Sequence, residues 1–194
     1  MIIYHKDYKK KNKREEFMNK KKLSSWLNII GLIIAVVSVF VMFLPAMRVT
    51  VIGSNVEQGL YNAFQTMFGA EEANVNGVYV HVMEFSIMNF IGGLLILLGI
   101  AVMVINVTKP MLGGAKIAVV RKLVAGALLV AGGILAFFTV EFVVTNGFQW
   151  PLLNKSICEG PIIQGIIAIL SGLCVITSVI IDKLNVSTPV KIEK

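Results

Sequence analysis

Ionisable side chains are scarce wherever this chain is apolar, so the few that stand in or beside its apolar runs are the ones whose types could do chemistry. Glu141 is the one acid inside such a run, Glu84 stands at the start of another, and Arg48 just after a third. Two carboxylates at one depth, Glu84 and Glu141, could take up a proton or a small cation. The same residues could instead make a structural ion pair, Glu141 with Arg48, at the rim of a membrane. His5 and His81 are isolated from each other and from the cysteines, so no metal site is expected. Cys158 and Cys174 are 16 residues apart, ~20 Å if most of that interval is helical, which is beyond disulfide reach. The sequence has no nucleophile elbow, P-loop, zinc-protease helix or paired-carboxylate motif. Neither enzyme activity nor a cofactor is expected.

The elements that must position these residues follow from composition. Of 194 residues, 56% are hydrophobic and only 15% charged, against about 45–50% and about 25% in an ordinary soluble domain. Long apolar runs account for the difference. A hydrocarbon core about 30 Å thick takes roughly 20 residues of helix. Four stretches qualify: Leu23–Leu44, Phe85–Val107, Leu123–Val144 and Ile162–Ile181. They use nearly half the chain and leave no room for a separate soluble domain. The expected fold is therefore an all-α membrane protein, a four-helix transmembrane bundle spanning residues 23–182.

All but Arg48 and Lys155 of the 18 basic residues flank one side of these spans. They fall in the basic tail 1–22, in the connection holding Lys109, Lys116, Arg121 and Lys122, and in the tail 183–194. The positive-inside rule makes that side cytoplasmic, with both termini inside. The charge is read as an orienting signal that touches anionic lipid; nucleic-acid binding is not expected. The first span is too long for a signal peptide and reads as a retained anchor.

Met18 followed by Asn19, Lys20, Lys21 and Lys22 is a sufficient positive flank by itself. Arg14-Glu15-Glu16-Phe17 can be encoded by a purine-rich tract resembling a bacterial ribosome-binding site. Two readings stay open: translation begins at Met18, or residues 1–17 form a real, disordered basic tail.

Two connections face outward. In the longer, Pro45–Glu84, Met47–Ile52 reads as a strand ending at Gly53-Ser54-Asn55. Val56–Phe68 has a helical apolar pattern with Asn55 as N-cap and Gly69 as its stop, and Val78–Met83 again reads as a strand. The two strands are expected to pair as a small extracellular β-ribbon beside the short helix. In the shorter connection, Thr145–Gly160, Trp150 beside Pro151 fits an interfacial anchor. Small residues stand at helix-packing spacing: Gly92, Gly93 and Gly99; Ala127/Ala131 and Gly132/Ala136; Ala168/Gly172. They suit close packing inside one bundle or a face for another membrane protein. Asn28, Asn89, Asn106 and Gln164, near the span ends, suit interhelical or headgroup hydrogen bonds.

Four spans, both termini inside, a long strand-forming first outer segment and a short second one resemble the claudin-type tetraspan plan. The likeness covers Leu23 to Ile181 as topology. Pro45–Glu84 carries neither the tryptophan nor the two cysteines of claudin first outer segments, so barrier or paracellular-pore function is not carried over. The Phe43-Leu44-Pro45 exit followed by a strand is also similar to small uncharacterised four-span proteins of Gram-positive bacteria, and the Lys-, Ile- and Asn-rich usage suits such a genome. The expected function is non-enzymatic, in a bacterial plasma membrane. The chain would be an accessory, scaffold or immunity-type protein binding a membrane partner or an extracellular ligand, or forming a homo-oligomer. The alternative is an oligomeric channel or transporter component, with Arg48, Glu84 and Glu141 at its outer vestibule.

Overall fold

A computed structural model describes residues 2–53, 57–73, 79–110, 112–145 and 153–186. Four helices are long and apolar enough to cross a membrane: Met18–Val41 within α1 (Ile2–Val41), α3 (Ile87–Thr108), α4 (Gly114–Ala136), and Glu159–Lys183 within α5 (Glu159–Val186). The 22 residues of α3 rise about 33 Å at ~1.5 Å each, enough for the hydrocarbon thickness. The remaining elements are β1 (Pro45–Val51), β2 (Glu57–Asn62), α2 (Ala63–Phe68), β3 (Ala70–Ala73), β4 (Tyr79–Met83) and β5 (Leu153–Ile157). The protein is mostly helical, with small antiparallel β-structure between the first and second long helices. The basic stretch from Ile2, for which the sequence leaves open an untranslated extension or a disordered tail, continues the α1 helix in its backbone.

The long helices pack in a ring, α1 on α5, α5 on α4, α4 on α3, and α3 back on α1. Their shared core holds Met42, Ile96, Met103, Leu129, Ala125, Ala168 and Val175. Glycine makes the α4–α5 contact possible. A methyl group on Gly133 would stand 2.8 Å from the Gly165 carbonyl oxygen, and one on Gly172 2.7 Å from that of Gly126. Of the expected small-residue pairs, Gly92, Gly99, Gly132 and Gly172 lie in such interhelical contacts, whereas Ala127 and Ala131 are exposed on the outside of the bundle.

Hydroxyls and amides hold α1 to α5. Ser24 Oγ donates to the Ser178 carbonyl at 3.2 Å, Ser178 Oγ donates to Asn28 Oδ1 at 3.0 Å, and Ser171 Oγ donates to the Gly31 carbonyl at 2.7 Å. Each is buried, and each joins residues over a hundred positions apart. At the end of the bundle bearing both termini, Lys122 Nζ meets Asp182 Oδ2 at 2.7 Å. There, too, Arg121 Nη2 donates to the Lys109 and Pro110 carbonyls at 3.3 Å, bracing the α3–α4 turn.

The opposite end carries the strands, and here three expectations are corrected. The helix expected over Val56–Phe68 is β2 followed by the six-residue α2. Asn62, not Asn55, is its N-cap: Asn62 Oδ1 accepts from the Gln65 N–H at 3.0 Å, and Gln65 Oε1 accepts from the Asn62 N–H at 2.9 Å. This capping box starts the helix where the apolar pattern alone could not; Asn55 lies outside the described residues. The two expected strands do not pair with each other. β1 takes β2 on one side and β5 on the other, while β4 pairs with β3. Finally, α4 ends at Ala136, and residues 137–142 continue in tight turns, with Phe137, Phe138 and Thr139 N–H groups each reaching the carbonyl three residues back. Glu141 therefore lies beyond the third long helix rather than inside it.

Candidate functional site

The three-stranded sheet has two unlike faces because β1 alternates. Met47 and Val49 are buried, and Arg48 is exposed. Below the sheet, Met47, Val49 and Tyr61 pack with Met83, Val140 and Val143 in a second small core. This core fixes the sheet to the ends of β4 and of the turns after α4. The register places Leu60, Arg48 and Ser156 in one row across the opposite face, and Glu57, Thr50 and Asn154 in the next. All but the half-buried Thr50 are exposed. A bulge between Val49 and Thr50 makes Gly59 and Glu57 the partners of successive β1 residues. The bulge brings the acid within reach of the guanidinium: Arg48 Nε lies 3.4 Å from Glu57 Oε2.

That pair replaces the one expected with Glu141. Arg48 stands on a strand whose nearest acid is a cross-strand diagonal neighbour, while Glu141 stands in the turns beyond α4. Glu84 and Glu141 do lie on adjacent segments, since the Glu84 N–H donates to the Val144 carbonyl at 3.0 Å and Met83 bridges Thr145. Both acids are exposed. Among the described residues no ion pair joins Arg48, Glu84 and Glu141, and no group of three metal-ligating side chains forms. Trp150 lies outside the described residues.

Beneath the sheet, α2 sits over the mouth of the bundle. The Ala63 N–H donates to the Met42 carbonyl at 3.1 Å, and the Ser86 N–H donates to the Met67 carbonyl at 2.9 Å. Asn89, buried on α3, donates through Nδ2 to the Thr66 carbonyl at 3.1 Å and to the Thr139 carbonyl at 3.0 Å. One side chain thus ties α2, α3 and the end of α4. Gly69 stops α2 with φ +94°, and a methyl group there would stand 2.6 Å from the Met83 carbonyl oxygen. Phe68, Phe85 and Phe90 cluster at the flank of α2, with ring centroids 5.5–6.4 Å apart; Phe68 and Phe85 are exposed.

Both cysteines are free. Cys158, at the β5–α5 junction, is buried, and its N–H donates to the Ala46 carbonyl at 3.0 Å. Burial pushes its thiol pKa up; nearby Arg48 opposes this, and Glu159 and Glu57 add to it. The residues that sequence reading missed here are Glu57, Asn154 and Ser156. Their signal was cross-strand position, which exists only once pairing is known.

No protein-family model matches the sequence, and no curated protein matches it.

Proposed function

We propose that this chain is a multi-pass membrane protein that works by binding, without catalysis. It would lie in a bacterial plasma membrane with the strand end outside the cell and both termini in the cytoplasm. One observation carries the reading: both outer connections contribute strands to one sheet, β2-β1-β5, whose exposed face is mostly polar and whose other face is fixed to the bundle. Loops that only joined spans would not need a shared sheet with its own core. Arg48, Glu57, Leu60, Asn154 and Ser156 are the side chains that such a face offers a partner. An accessory, scaffold or immunity role fits a membrane protein partner, with extracellular ligands as the other class. The orientation rests on the distribution of Lys and Arg.

The test is capture of the tagged protein from its native membranes in mild detergent, with native mass measured. A stoichiometric membrane protein partner is expected, and it should be lost from the Arg48→Ser/Leu60→Ser double variant. A homo-oligomer with nothing attached would contradict the reading and favour an oligomeric channel component. Flux in vesicles, with Glu141→Gln as the variant, would then decide whether that acid takes part.

A further inference from the structure

We infer that the small cavity beneath α2 is a binding site for a single water molecule. The cavity leaves about 10 Å³ for the centre of a water-sized sphere, close to the roughly 10–15 Å³ that one water needs. Its lining includes Met67 from α2, Asn89 and Gly92 from α3, Gly132 from α4, Thr139 just beyond it and Gln164 from α5. Asn89 is 5% exposed and Gln164 3% exposed.

The orientation of the Asn89 amide is fixed by its neighbours. Nδ2 donates to two carbonyls, those of Thr66 and Thr139. A flipped amide would set Oδ1 against two other oxygens. Oδ1 is therefore the atom left over, and it is buried with no partner. Such an acceptor costs about 1–3 kcal/mol unless a donor reaches it. Thr139 cannot be that donor, because its hydroxyl donates to the Ala136 carbonyl at 2.7 Å. Gln164, with a carbonyl and an amide at the end of its side chain, lines the same cavity, and no hydrogen bond joins it to Asn89. One water supplies what the cavity lacks. It donates to Asn89 Oδ1 and to Gln164 or Thr139 oxygen, and it accepts from Gln164 Nε2.

The lining also decides between water and a cation of similar size. No carboxylate lines the cavity, so a sodium ion there would be a buried charge without a counter-charge. Water is neutral and carries no such penalty. Bound there, it links α5 to the same Asn89 that holds the carbonyl of α2, so the cover over the bundle mouth is anchored to α3, α4 and α5 together.

The test uses the full chain in lipid nanodiscs with 13C-labelled methionine methyl groups. The Met67 methyl signal is assigned by its absence from the Met67→Leu variant. A water-to-methyl NOE at Met67 is expected, and it should be lost in Gln164→Leu. An unhydrated Met67 methyl in the wild-type chain would overturn the inference. A high-resolution density map gives a reading that needs no variant. A peak between Asn89 Oδ1 and Gln164 supports the site. An empty cavity, a direct Asn89–Gln164 bond, or a peak whose occupancy follows sodium concentration would each overturn it. None of these outcomes depends on what the outer sheet binds.

Discussion

At the scale of single residues, the α4–α5 seam is held by what is missing. Gly126 and Gly133 on one helix meet Gly172 and Gly165 on the other, with backbone against backbone. A large side chain has nowhere to go. Gly133→Leu should cost about 1–3 kcal/mol or more through overpacking, read as a lower melting temperature in detergent. Ala131→Leu, two positions away but exposed, should change stability by about 0.5 kcal/mol at most; equal losses would mean that Ala131 is covered by a second molecule. Further along the same two helices, toward the end bearing the termini, Lys122 and Asp182 have side chains only 14% and 29% exposed. Asp182→Asn leaves the ammonium with a neutral acceptor and should cost about 1–3 kcal/mol, whereas Lys122→Met/Asp182→Leu should recover most of it. Cys158 makes a prediction in pH. With its pKa raised by burial, the thiol stays protonated through neutral pH. Its alkylation, measured in a Cys174→Ala background, should be slow at pH 7 and should keep rising where an ordinary thiol of pKa about 8.5 has levelled. A rate that levels at or below that pH would contradict its burial.

At the scale of elements, the four long helices were legible because length and apolarity decide them, and lipid-length helices leave few alternatives. The strand end was legible only in pieces. Met47–Ile52 reads as a strand from its β-branched residues, but the sequence around Glu57–Asn62 carries an apolar spacing that suits a helix equally well. Pairing with β1 settles that segment, and β1 itself is completed by β5, drawn from a connection some hundred residues away. Neither partner leaves a local mark. The Arg48–Glu57 pair was hidden for the same reason, since a bulge sets its geometry. Likewise, the Gly126/Gly133 and Gly165/Gly172 pairs recur at a spacing of seven, which a search for small residues four apart passes over. Two predictions belong to α2. Asn62→Ala removes its capping box and should lower stability by about 1 kcal/mol, seen as faster hydrogen exchange at Gln65. Phe68→Trp, on the exposed aromatic flank, should be quenched by lipids brominated near the headgroup if that flank lies in the outer interface. An unquenched tryptophan would lift α2 clear of the membrane.

For the whole molecule, the bundle is closed by Ile96, Met103 and Leu129 along its length and by Met42 at its strand end, all at most 2% exposed. Polar side chains gather toward its two ends, Asn89, Thr139 and Gln164 under the strands, and Asn28, Asn106 and Ser178 near the termini. Between them Ser171 is turned to the Gly31 carbonyl. Orientation is the claim on which the binding proposal depends, because it decides whether the sheet meets the outside. The most direct measurement is cysteine labelling in intact cells, in a Cys158→Ala/Cys174→Ala background. Asn154→Cys on the sheet and Lys116→Cys on α4 are both exposed positions. A membrane-impermeant maleimide should label Asn154→Cys in intact cells and Lys116→Cys only after lysis. Labelling of Lys116→Cys in intact cells, with Asn154→Cys protected, would invert the molecule and contradict an outward-facing binding sheet.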